Sequence, residues 1–271
     1  MELIEILKAI FLGIVQGITE WLPISSTGHL LLVNEFLHLQ FSPNFVSSFT
    51  TIIQFGSILA VVLLYFHKLN PFSPKKTAVQ KRETFSLWLK VLVGAIPAGI
   101  VGLLFEEKID ALFYNSTTIA ITLILYGIFF IILENRRREA KIGDFSQLSY
   151  RTALLIGVFQ ILALVPGTSR SGATILGAIL LGCARPVAAE YSFFLAVPMM
   201  FGASFLKIVK YGGAFSGAEW GILLIGVLTA FIVSVFAIKF LMNYIRKHDF
   251  KAFGYYRIIL GILVLLYFLV F

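Results

Sequence analysis

The stretch Gly13-Ile14-Val15-Gln16-Gly17-Ile18-Thr19-Glu20-Trp21-Leu22-Pro23-Ile24-Ser25-Ser26-Thr27-Gly28-His29 has a partial echo 144 residues on. There the chain reads Gly157-Val158-Phe159-Gln160, then Val165-Pro166-Gly167-Thr168-Ser169-Arg170-Ser171-Gly172. At that offset Gly13 aligns with Gly157, Gln16 with Gln160, Ser25 with Ser169 and Gly28 with Gly172, while the proline slips by one position. Each copy sets a hydroxyl-rich, glycine-containing turn between two apolar segments. Polar groups in hydrocarbon are costly, so such a turn inside a lipid-embedded chain marks a functional site.

The composition says that the setting is lipid. Of 271 residues, 59% are hydrophobic and 13% charged, and the mean hydropathy is +0.92. A water-soluble domain could not hide that apolar content, so the fold class is an all-α polytopic membrane protein. The net charge of +8 is concentrated in short segments between apolar runs. There it acts as a topology determinant and a contact for lipid headgroups, not as a nucleic-acid surface. Cys183 is the only cysteine, so an intrachain disulfide is excluded and a thiolate metal cluster is not expected. The N-terminus lacks a basic segment followed by a small-residue cleavage site, so no removable signal peptide is expected.

Apolar runs long enough to cross a bilayer fall at about 49–66, 85–105, 117–133, 188–211, 219–242 and 255–271. Each approaches the ~20 residues that a helix needs for ~30 Å of hydrocarbon. Two further pieces, 29–39 and 172–182, are shorter; about 11 residues make ~16 Å of helix, half a membrane. Each follows a serine turn and is preceded by a helical run, 4–22 or 152–165. Both pairs therefore read as re-entrant hairpins whose tips stop inside the membrane, where protein or a wet cavity must satisfy the unwound backbone.

Basic residues set the orientation. The segment 67–84 holds Lys68, Lys75, Lys76, Lys81 and Arg82; 134–151 holds Arg136, Arg137, Arg138, Lys141 and Arg151; 243–254 holds Arg246, Lys247 and Lys251. By contrast, 106–118 sets Glu106, Glu107 and Asp110 against Lys108, and 40–48 and 212–219 have no basic residue. The first group is expected in the cytoplasm and the second outside, with Lys207 and Lys210 running against the trend. Three crossings separate the hairpins, and an odd number makes them enter from opposite sides. The expected architecture is about six transmembrane helices plus two re-entrant helix hairpins in an inverted-topology repeat, with halves roughly 1–140 and 145–271 of one integral membrane domain, 1–271.

Glu20 follows Gln16 by four residues, on one helical face. Ser25, Ser26 and Thr27 can cap the first short helix, and Ser169 and Ser171 the second. Two helix N-termini facing each other, with Arg170 between two serines, form an anion site of the kind that holds phosphate. Gln16, Ser25, Thr27, Ser169 and Ser171 are its binding candidates. Ser26 and His29 stand three apart, close enough to share a hydrogen bond. This makes Ser26 the candidate nucleophile and His29 its proton acceptor and later donor. Arg170 is the phosphate clamp, and Glu20 either orients a proton carrier or binds a divalent cation beside the phosphates.

Singly, Ser25 and Ser26 read as helix caps, His29 as a structural hydrogen-bonding residue and Glu20 as an interfacial carboxylate. An arginine at half-membrane depth has no comparable bland reading, because leaving it unpaired is costly. Glu190 is a candidate partner for Arg170 or Arg185, and Gln54 a candidate to line the same cavity. Pro97 and Pro198 are expected to kink their helices.

The stretches Gln16–Glu20, Leu22–His29 and Pro166–Gly172, with Glu190–Pro198 and Tyr256-Arg257, resemble the signatures of the bacterial undecaprenyl-diphosphate phosphatases, the BacA/UppP family. The similarity runs over about residues 4–271. It implies a multi-pass enzyme of the bacterial inner (plasma) membrane that hydrolyses undecaprenyl diphosphate to undecaprenyl phosphate and phosphate. That reaction recycles the lipid carrier for peptidoglycan synthesis, and its excess confers bacitracin resistance. The resemblance further implies Ser26 as nucleophile with Ser25 beside it, His29 as acid/base, Arg170 as pyrophosphate ligand and Glu20 as a required carboxylate. It also implies a divalent cation, Mg²⁺ or Ca²⁺, and a site open to the extracytoplasmic face. The family motif takes Glu or Gln at position 16; Gln16 adds no charge to a metal, which leaves the carboxylate function to Glu20. The implied partners are the lipid pyrophosphate and membrane lipid, with a homodimer left open and no nucleic acid. The competing class is a transporter, since inverted repeats with broken helices suit alternating access. The Ser26–His29 pair separates the two, because transport needs the anion site but no nucleophile.

Overall fold

Turn chemistry starts most of the helices. The structure, a computed structural model, describes residues 3–136 and 139–270, without the side chains of 35, 106, 269 and 270. Arg137 and Arg138, counted above with the basic segment 134–151, and the Glu106 side chain lie outside what is described. In chain order the helices are α1 (Leu3–Thr19), α2 (Ser26–Phe36), α3 (Pro43–Leu64), α4 (Phe66–Leu69), α5 (Ala78–Phe113) and α6 (Ser116–Asn135). They continue with α7 (Tyr150–Ile161), α8 (Arg170–Leu180), α9 (Arg185–Tyr211), α10 (Gly217–Ile245) and α11 (Lys251–Val270). Ser42 caps α3 ahead of Pro43, and Asn115 and Ser149 cap α6 and α7. Capping boxes, Thr77 with Gln80 and Ser216 with Glu219, open α5 and α10.

Six helices, α3, α5, α6, α9, α10 and α11, are long and apolar enough to cross a membrane, and each overlaps one of the expected runs. Helix α3 ends at Leu64 where the run extends to 66, and residue 271 of the last run lies outside the described residues. The protein is an all-α polytopic membrane protein. Helix α5 runs further than its apolar stretch: its capping box starts it at Ala78 and it continues to Phe113. Lys81, Arg82, Lys108 and Asp110 are therefore helical rather than in loops. Hydropathy marks where a helix lies in lipid, whereas the cap marks where it begins.

Large apolar side chains such as Leu103, Val209, Phe236 and Leu263 face outward, and Gln16, Ser57, Thr174, Ser192 and Ser234 face inward. This is the arrangement that lipid rewards. Small residues bring the helices into backbone contact. A Cβ on Gly13 of α1 would lie 2.8 Å from the Gly226 carbonyl of α10, and one on Gly157 of α7 would lie 2.1 Å from the Gly94 carbonyl of α5. The helix leading into each serine turn thus leans on a crossing helix from the opposite half of the sequence. That crossing over brings the two turns together.

Two ion pairs correct the expectation for Glu190. Its carboxylate pairs with Lys68, and Arg185 pairs with Glu134. Both pairs are closed away from Arg170, whose partner is Glu20.

Candidate active site

Between α1 and α2 the chain unwinds over residues 20–25, and between α7 and α8 it passes through a 3₁₀ turn, Leu162–Leu164, into a second unwound stretch. Both stretches end on a strained serine. Ser25 has φ 76° and Ser169 has φ 72°, and among the described residues they are the only non-glycine residues with positive φ. Such a conformation costs a non-glycine residue about 1–3 kcal/mol and persists only where the surroundings fix it. Here each serine hydroxyl caps the helix that follows, accepting from Gly28 N at 3.3 Å and from Gly172 N at 3.1 Å. The repeat seen in the sequence is therefore a repeat of backbone geometry.

The two tips meet at Glu20. Its carboxylate is 4% exposed; Oε1 accepts from Arg170 Nη2 at 2.9 Å, and Oε2 accepts from Gln16 Nε2 and Ser26 Oγ, each at 2.9 Å. Arg170 is held from the other side as well, donating from Nη1 to the Ser192 carbonyl at 2.7 Å and lying 5.6 Å from the Trp21 ring centre. Its Nε has no partner among the described residues. Ser171 Oγ bridges the tips by donating to the Glu20 carbonyl at 3.1 Å. Thr174 ties the start of α8 to α9 through Ser192 Oγ at 2.7 Å.

His29 lies beside this cluster. Nδ1 is 2.7 Å from the Ser25 carbonyl, which can only accept, so Nδ1 carries the proton. Nε2 is then free to accept from the Tyr256 hydroxyl, also at 2.7 Å, and the two rings are stacked. The Ser26 proton therefore points to Glu20, where the three-residue spacing had suggested His29. Thr27 is half-buried on the first turn of α2, and Ser169 Oγ lies 3.2 Å from Ser171 Oγ. Gln160, the counterpart of Gln16, has no hydrogen-bond partner among the described residues and takes no part in the junction. Three contact residues escaped sequence reasoning: Trp21, Ser192 and Tyr256. Ser192 and Tyr256 fall in stretches that carried the family resemblance, and Trp21 sits in the gap between two of them.

Two helix N-termini, one guanidinium and a hydroxyl already bonded to a carboxylate suit an anion attacked by that hydroxyl. Among the described residues no three His, Cys, Asp or Glu side chains cluster as a metal cage. Gln16 Oε1, however, is buried without a partner. With Glu20 it offers a pair of hard oxygen donors of the kind that would suit a divalent cation such as Mg²⁺.

Residues 9–263 match the family of bacitracin resistance protein BacA. The chain belongs to that family. The BacA-family match spans both tips and every residue of the junction. This chain is 62% identical to undecaprenyl-diphosphatase 1 of Clostridioides difficile, covering 98% of this chain and 97% of that protein. It is 61% identical to the undecaprenyl-diphosphatase of Acetivibrio thermocellus, over 98% and 99% of the two chains. With the undecaprenyl-diphosphatase of Enterococcus faecalis the identity is 57%, over 97% of each.

Proposed function

We propose that this BacA-family protein hydrolyses undecaprenyl diphosphate to undecaprenyl phosphate and orthophosphate in the bacterial plasma membrane, at a site open to the extracytoplasmic side. The observation that carries the reading is the meeting of Ser26 and Arg170, brought from two tips onto the two oxygens of the Glu20 carboxylate. The printed names of its full-length relatives support the same substrate.

In this reading Ser26 Oγ attacks the terminal phosphorus while its proton passes to Glu20 Oε2. The bond from that phosphorus to the bridging oxygen breaks, and undecaprenyl phosphate leaves on that oxygen. Water then attacks the phosphoserine, its proton reaching His29 Nε2 through the Tyr256 hydroxyl. Orthophosphate leaves, Ser26 recovers the proton held by Glu20, and His29 gives up the water-derived proton to the solvent or to the departing phosphate. Arg170 and the first amides of α2 and α8 stabilise charge on the equatorial oxygens, and such fixed donors are strongest in a low-dielectric site. A divalent cation, Mg²⁺ or Ca²⁺, held by Glu20 and Gln16 Oε1, supplies neutralisation of the pyrophosphate charge when bound.

The test is phosphate release from undecaprenyl or farnesyl diphosphate by protein purified in detergent. Ser26→Ala is expected to lose at least ~10³-fold in turnover, as removal of a nucleophile does elsewhere. Normal hydrolysis by Ser26→Ala would remove the serine from the reaction.

A further inference from the structure

Arg257, on the second turn of α11, is 0% exposed. Among the described residues no carboxylate pairs with it; the ion pairs are Lys8–Glu5, Lys68–Glu190, Arg170–Glu20, Arg185–Glu134 and Lys251–Asp249. Its donors go instead to carbonyls of unwound backbone. Nη1 donates to Pro23 O at 3.1 Å, and Nη2 to Gly167 O and Thr168 O, each at 2.9 Å. On α6, Nε lies 3.5 Å from Leu123 O, and the guanidinium lies 5.6 Å from the Tyr126 ring centre.

The choice of carbonyls is informative. Pro23 and Gly167 occupy equivalent positions at the 144-residue offset. One planar group therefore holds the same backbone oxygen of both tips, with its two nitrogens at a fixed separation. Burying a cation without a counter-charge is expensive. It is retained where backbone groups freed by a helix break have no other donor, as at these tips. Ser26 and Arg170 lie just beyond the held carbonyls, on opposite tips.

We propose that Arg257 is a positioning residue that sets the register of the two tips, and through it the placement of Ser26 against Arg170. The proposal rests on the reading of Ser26 and Arg170 given above. A displacement of about 1 Å between reacting groups costs on the order of 10²-fold in rate, so a register pin shows mainly in turnover. A lysine keeps the charge but has one nitrogen where arginine has two at a fixed separation, so it cannot hold the tips in the same register.

The experiment uses the full chain in detergent, in a background where Trp88→Phe and Trp220→Phe leave Trp21 as the only tryptophan of the three. Trp21 is buried in the first tip beneath Arg170, so its emission reports the junction without reference to activity. In Arg257→Lys we expect kcat to fall at least 100-fold with KM changed less than threefold. Trp21 emission should move to the red, and acrylamide quenching should rise at least threefold. Arg257→Gln, whose amide reaches one tip only, should behave alike. An unchanged Trp21 signal with kcat within threefold of the parent would overturn the proposal. So would loss of folded protein in both variants, since Arg257 would then hold the whole bundle rather than the register. Should Ser26→Ala hydrolyse normally, the reaction scheme fails while the Trp21 measurement still decides the role of Arg257.

Discussion

The first and second tips share a backbone and divide the chemistry. Each ends on a left-handed serine that caps an eleven-residue helix. At the next position, however, the first tip has Ser26 and the second has Arg170. Glu20 is matched by Leu164, and His29 by Ala173. Surroundings differ too: Ser26, Thr27 and His29 are half-buried, whereas α8 is buried from Ser171 through Ala178. The turn is thus a mount, and single exchanges upon it give one tip a hydroxyl and the other a guanidinium at the same position; in the function proposed above, the first attacks and the second grips. Arg170 is itself half-buried, like Ser26, but the second tip is enclosed by protein from Ser171 onward. The first tip is more open at Thr27 and His29 than the second is at the matched Ser171 and Ala173.

The largest effect that would test this division is on the grip. Arg170→Lys keeps the charge but loses the two-pronged contact with Glu20 and Ser192, and kcat/KM should fall by roughly 10²–10³. Near-normal hydrolysis by this variant would reduce Arg170 to a counter-charge and erase the contrast between the tips. A smaller effect concerns the helices that carry them. Gly157→Ala should lower stability by about 1–3 kcal/mol, because overpacking against backbone forces α5 and α7 apart. Gly13→Ala should cost less, since its nearest backbone oxygen would be 2.8 Å from the new methyl rather than 2.1 Å. Unfolding in detergent measures the order, and a reversal would mean that the two entry helices are not held alike.

The smallest effect concerns the mount itself. Ser25→Ala and Ser169→Ala each lose a cap while keeping the strained φ, for about 1 kcal/mol of stability apiece. The glycine variants lose the cap but tolerate positive φ, so they should lie within about 0.5 kcal/mol of the parent. Alanine variants as stable as the parent would show that the caps hold nothing.

Much of this was legible in the residues themselves. Composition and run length fixed the class and all six crossings, because lipid selects on both. The serine turns and Arg170 stood out because polar groups at that depth need a reason. What failed was pairing. Ser26 and His29 are close in sequence, yet Ser26 bonds Glu20 six residues back, and His29 bonds Tyr256 on α11. Spacing constrains neighbours along one helix and carries no information about a helix that arrives from 227 residues away. The same limit hid the partner of Glu190, which is Lys68 from the α4 turn, and the extent of α5, whose ends are set by capping rather than by hydropathy.

Unlike residues at the matched positions 26 and 170 carry a consequence for how such a catalyst can change over time. Two identical subunits about a twofold axis would bear serine at both places or arginine at both, and every substitution would strike each side simultaneously. Linking both elbows in a single polypeptide removes that constraint. Each can then be altered alone, one toward reactivity and the other toward recognition, while the shared left-handed serine keeps them superimposable.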